Sequence, residues 1–196
     1  MLRIALIDIL LFSLPFLTKE KSNPFEPYTP VPEARFRAMQ QVADAGIEVG
    51  IGIAPVIPGY NESDIPGLLE RAKEAGATRA FMSMLHLDTD SIEAYFVEKM
   101  HERLPPTRVA KIINTIKRER GGSLRHRTYK ERSTGKTEQW EVTTKLFDFH
   151  AKRANFLIAF AALPYMQGTL RRLAHSLEAP RPGAEMRNES DMTNDG

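Results

Sequence analysis

Three groups of side chains in this sequence are spaced for chemistry: Ser13 after an apolar run, the turn Pro55-Val56-Ile57-Pro58-Gly59-Tyr60-Asn61-Glu62, and His86 with Asp88. Each follows a stretch that reads as a buried strand, and in parallel α/β sheets ligands sit beyond the carboxyl ends of strands. Ahead of the turn, Gly50, Gly52 and Ala54 alternate with Val49, Ile51 and Ile53, so one strand face is bulky and the other nearly bare backbone. A bare face admits a flat ligand close to the main chain, and the helix after the turn offers unpaired N–H groups to an anion. Asn61 or Ser63 stands where it can cap that helix. The same residues have plainer readings: close packing for the glycines, a turn or cap for Asn61, a hydrogen-bonded histidine for His86. The sequence has no Ser–His–acid spacing, glycine-rich phosphate loop or His/Glu metal-ligand cluster. Its count of zero cysteines excludes disulfides, thiolate metal sites and a cysteine nucleophile.

Charge is segregated along the chain. Residues 1–102 carry nine Lys/Arg against fifteen Asp/Glu, whereas residues 103–136 carry eleven Lys/Arg against only Glu119 and Glu131. Such a block suits a polyanion, with Arg125, Arg127, Lys130 and Arg132 as backbone-phosphate contacts and His126 and Tyr129 interspersed for stacking. The plainer reading is a solvated loop after a helix whose last turn, Lys117 and Arg118, complements the macrodipole.

These groups need elements to hold them. At 196 residues the chain is long enough for one sizeable core. The run 4–17 contains Asp8 and Pro15 and is too short to span a bilayer, so it reads as a buried strand over 6–14 rather than an export signal or anchor. A 30-residue repeat follows: Ala45-Gly46 and Ala75-Gly76 each close a helical pattern and open a strand. Phe36, Met39 and Ala43 mark the first helix, begun near Thr29 and Pro32, and Ile65, Leu68, Leu69 and Ala72 mark the second. A third strand is expected over 80–87. Helices are expected over 91–104 with Ile92, Tyr95, Phe96 and Met100 buried, over 106–120 with Val109, Ile112, Ile113 and Ile116 buried, and from 138 to about 162, where Pro164 interrupts. From Glu178 onward the composition predicts a disordered tail.

Several pieces in order resemble a known family. Phe12-Ser13-Leu14-Pro15-Phe16-Leu17 is followed by Glu26-Pro27-Tyr28-Thr29-Pro30 with Pro32, Glu33 and Arg35. Then come Ala45-Gly46-Ile47, Ala54-Pro55-Val56-Ile57-Pro58-Gly59-Tyr60-Asn61 and Arg120-Gly121-Gly122-Ser123-Leu124. Over residues 12–153 this resembles the C-terminal half of a radical S-adenosylmethionine (SAM) protein, nearest the bacterial branch related to spore photoproduct lyase. The resemblance implies the later strands of a partial (β/α)6 barrel, with Ser13, Ile53, Pro58, Asn61 and His86 lining a SAM cavity. In the intact family a 4Fe-4S cluster on a CxxxCxxC loop reduces SAM to a radical. That loop and the first strands have no counterpart here, and Met1 to Ile9 matches poorly, as for a reading frame that starts inside an interrupted gene.

The expected fold is therefore α/β. Residues 1–104 would form a partial (β/α) barrel of three parallel strands with outer helices. Residues 105–163 would form a helical extension carrying the basic loop 121–136, and 164–196 a short helix and tail. The expected protein is cytoplasmic and non-membrane, prone to self-association through its sheet edges. On its own it would be without catalysis, relying on a missing N-terminal half or a partner chain for the cluster. The alternative is a non-enzymatic nucleic-acid-binding module built on residues 103–136.

Overall fold

The computed structural model describes residues 9–125 and 135–158, which belong to one compact unit spanning 1–159. Four parallel strands lie in chain order, β1 (Ile9–Ser13), β2 (Glu48–Val56), β3 (Arg79–Met84) and β4 (Leu157–Ile158). Six helices accompany them: α1 (Lys19–Ser22), α2 (Pro32–Asp44), α3 (Ile65–Glu74), α4 (Asp90–Arg103), α5 (Pro106–Glu119) and α6 (Glu138–Arg153). The fold is mixed α/β, as the alternation of patterns implied. Among the described residues no helix is long and apolar enough to cross a membrane.

The helices that lead into strands end alike. Gly46 (φ 81°), Gly76 (φ 86°) and Asn155 (φ 54°) are left-handed. Beyond each, the next amide returns to a carbonyl five residues back: Ile47 to Val42, Ala77 to Ala72 and Phe156 to Ala151. This is the Schellman closure, which satisfies carbonyls the helix cannot. The chain then enters the sheet, Thr78 N–H donating to Val49 O and Leu157 N–H to Thr78 O, both at 2.9 Å.

The third of these turns corrects the sequence reading, which ran the last helix to about residue 162 and counted three strands. Asn155 takes a conformation that asparagine tolerates better than most residues, so α6 stops at Arg153. Leu157 and Ile158 then pair with Arg79 and Ala80 as β4. Residues 159–196, including the expected tail, lie outside the described residues.

Two apolar clusters result. The first lies between the sheet and α2, α3 and α6, where Phe36, Met39, Leu68, Ala72 and Phe147 meet Val49, Ile51 and Ile53. The second gathers the segments leaving the carboxyl ends of β1, β2 and β3 against α4 and α5: Phe16, Ile57, Leu85 and Leu87 with Met100, Val109, Ile112 and Ile116. Phe25 joins it, 4.8 Å from the Tyr60 ring and 5.5 Å from Phe16. In α4 only Met100 of the expected stripe is buried; Ile92 and Tyr95 are 47% and 60% exposed, because the helix meets its neighbours on a narrow face.

Asn155 is the position on which the fourth strand turns. Asn155→Gly is expected to leave the urea-unfolding midpoint unchanged or slightly raised, and Asn155→Val to cost about 1–2 kcal/mol. A valine variant as stable as the parent would show that the turn does not need a left-handed residue.

Candidate functional site

Register decides which side chains share a face. Gly50 aligns with Leu11 and Arg79, and Gly52 with Ser13 and Phe81. Val49, Ile51 and Ile53 therefore face the helices, and the opposite face carries Leu11, Ser13, Gly50, Gly52, Ala54, Arg79, Phe81, Ser83 and Leu157. The glycine face is not open, as the alternation had implied. A Cβ on Gly52 would lie 2.5 Å from Phe81 Cζ, and one on Gly50 2.7 Å from Leu11 Cδ2. Both glycines make room for side chains of the neighbouring strands.

The polar groups of this face gather at its carboxyl end. Ser13 Oγ donates to Ala54 O (3.1 Å). Between Ile53 and Val56 β2 carries one more residue than β3, a bulge holding the cis Ala54–Pro55 peptide. Ser83, two residues beyond Phe81 and 7% exposed, lies 3.2 Å from His86 Nε2. Which of the two donates depends on the histidine tautomer. Among the described residues no group of three His, Asp or Glu is placed to hold a metal ion.

The loops beyond the strands are braced by three buried or half-buried polar side chains. Asn61 is fully buried; its Oδ1 accepts from Ile57 N–H (2.7 Å) and its Nδ2 donates to Pro15 O (2.7 Å) and Pro55 O (3.0 Å). It thus ties the loop after β1 to the loop after β2, and does not cap the following helix. Arg35 bridges Ser13 O, Pro30 O and the Glu26 carboxylate at 2.9 Å each. Arg120, 7% exposed, donates to Leu85 O and Leu124 O while its Nε has no partner. Burial pulls its guanidinium pKa down to about 10 against the opposing pull of Asp88 and Glu93, so it stays charged at neutral pH. Burial likewise pushes the Tyr60 phenol up; its hydroxyl donates to Lys21 O (3.0 Å).

The five residues expected around a cofactor thus separate. Ser13 and His86 stand at the carboxyl end of the glycine face, two strands apart, with Ser83 joined to His86. Ile53 is fully buried on the helix side of the sheet, Pro58 is buried in its turn, and both amide hydrogens of Asn61 are engaged by carbonyls. The sequence reading missed Ser83, Arg35 and Arg120. Ser83 was discoverable from its two-residue offset to Phe81 in the same strand, whereas the braces depend on distant carbonyls that no spacing reveals. Of the basic residues named for nucleic acid, Arg125 is ion-paired with Asp90 (2.7 Å) and Glu93 (3.1 Å). Arg127, Lys130 and Arg132 lie outside the described residues.

No family model matches the chain, and no solved structure matches it. Over 100 residues it is 26% identical to an uncharacterized protein of Acidianus two-tailed virus. That alignment covers 47% of this chain and 33% of the viral protein, so the chain spans about a third of the length of that relative.

Asn61→Ala removes the partner of one amide and two carbonyls at a buried site. The expected loss is about 3 kcal/mol in urea unfolding. A loss under about 1 kcal/mol would show that water replaces the bracket.

Proposed function

We propose that this chain is the later portion of a radical SAM-type (β/α) barrel that lacks its cluster-bearing loop and does not catalyse alone. One observation carries the reading. Four parallel strands in the order β1-β2-β3-β4, with the right-handed crossovers expected of parallel pairing, carry α2, α3 and α6 on one face, while α4 and α5 gather at the carboxyl ends. Such a winding suits a barrel wall, and on this reading the glycine face would be its interior. Mixed polarity along this face agrees. Arg79 pairs with Glu48 (2.8 Å) at the amino end, Leu11 and Phe81 cover the glycines in the middle, and Ser13, Ser83 and His86 hold the carboxyl end.

The residues present do not fit the family's cluster, since a 4Fe-4S centre is held by thiolates and the sequence has no cysteine. Nor does the glycine face accept SAM as it stands, because Phe81 occupies the space over Gly52. What this chain contributes is a braced wall: Asn61, Arg35 and Arg120 hold the loops above the strands in place for a ligand seated by other segments. A missing N-terminal half or a partner chain would supply the cluster and pair with the edge of β1 that faces away from β2, where no described residue pairs.

Anaerobic incubation of the chain with iron and sulfide is expected to leave it colourless, and calorimetry to detect no SAM binding tighter than about 1 mM. An iron–sulfur absorbance that survives desalting would overturn the proposal.

A further inference from the structure

Helix α5 carries four exposed cations, Arg108, Lys111, Lys117 and Arg118. Its single acid, Glu119, is buried and accepts from the Thr137 hydroxyl (2.6 Å). None of the four is ion-paired with a described residue; Arg108 rests over the Tyr60 ring at 5.9 Å. The acids of the adjoining α4 do not offset them. Asp90 and Glu93 are held by Arg125, and Glu98 and Glu102 by Lys99.

Helix stability does not account for this pattern. Cations complement the dipole only at a carboxyl end, which covers Lys117 and Arg118. Arg108 sits in the first turn, where the dipole disfavours it, Lys111 in the second, where the dipole offers nothing, and the first turn of α5 has no acidic residue. In α4 and α6 the first turn does hold acids.

We propose that the outer face of α5 is a docking surface for the phosphate backbone of nucleic acid, read without regard to sequence. Arg108, Lys111 and Arg118 fall at i, i+3 and i+10 along about 15 Å of helix, the rise of about four nucleotides of one strand. The surface offers charge with little apolar area: the exposed apolar residues of the helix are the small Pro106 and Ala110, Ile113 is half-buried, and Val109, Ile112 and Ile116 are buried in the core. A membrane-surface helix needs those apolar residues free to enter lipid, so nucleic acid is the favoured polyanion. The proposal stands apart from the barrel reading and relocates the basic function from the loop around Arg125 to a regular helix.

The test is titration of the full chain with a fluorescent oligothymidylate of about 20 nucleotides between about 50 and 200 mM salt. Three phosphate contacts on a single strand give a log–log salt slope of about −2.1, so binding weakens about 20-fold over this range through α5 alone. The variant Arg108→Gln, Lys111→Gln, Lys117→Gln, Arg118→Gln is expected to lose that component while keeping the parent's circular dichroism and melting midpoint. If the quadruple variant melts early, the single variants Arg108→Gln and Lys111→Gln carry the test, each flattening the slope by about 0.7. An unchanged slope in the variants overturns the proposal. So does absence of binding at about 50 mM salt, or equal capture by phosphatidylserine vesicles that the quadruple change abolishes in parallel.

Discussion

The left-handed residue at the end of each crossover helix is the constraint on which this fold depends. It stops the helix, turns the chain back over the last carbonyls and delivers the next residues to the edge of the growing sheet. Gly46 sets the start of β2, Gly76 that of β3 and Asn155 that of β4. Parallel pairing has no hairpin to fix register, so the point at which each helix releases the chain does that work. The outcome is a sheet whose faces differ in kind. Val49, Ile51 and Ile53 meet helices on one side, and two glycines accommodate Leu11 and Phe81 on the other.

Beyond the strands the chain is held by polar side chains that reach backbone carbonyls. Asn61, Arg35 and Arg120 each bridge segments far apart in sequence: the Pro15 and Pro55 carbonyls, the Ser13 and Pro30 carbonyls, and the Leu85 and Leu124 carbonyls. Asp64 extends the scheme, accepting from Leu17 N–H and pairing with Lys21. Each such bond contributes only about 1 kcal/mol net, but an abandoned buried carbonyl costs more. The loops beyond the strands are therefore tied to one another by several side-chain brackets.

Much of this was legible in the sequence because periodicity and punctuation reported it. The Ala-Gly repeat located two helix–strand junctions, and the alternation in β2 identified its two faces. The third junction was missed because Asn155 is a weaker signal than glycine and β4 shows only two paired residues in the described chain. The site was less legible for a different reason. The sequence showed Gly50 and Gly52 as empty positions, but only the register reveals that Leu11 and Phe81 fill them. Asn61 looked like a cap because caps are local, whereas its carbonyl partner Pro15 lies 46 residues away. Arg125 looked free because a charge count ignores which acids, here Asp90 and Glu93, stand opposite in space.

The glycine face bears directly on the barrel proposal. A parallel sheet is ordinarily covered on both faces, and here the helices account for one. On the other, Leu157 is 60% exposed and Leu11 half-buried. Were this face simply solvated, polar residues would run along its length. Instead the charged pair Arg79–Glu48 and the Ser83–His86 pair flank an apolar belt of Leu11, Phe81 and the two glycines. A belt of that kind matches the stacked interior layers of a barrel, where a small residue on one strand accepts a large one from the next. On the barrel proposal the polar groups lie at the end where such folds seat their ligands. Under that proposal, a segment closing the wall would bring apolar side chains to the level of Phe81 and leave the carboxyl end, with Ser13 and His86, uncovered.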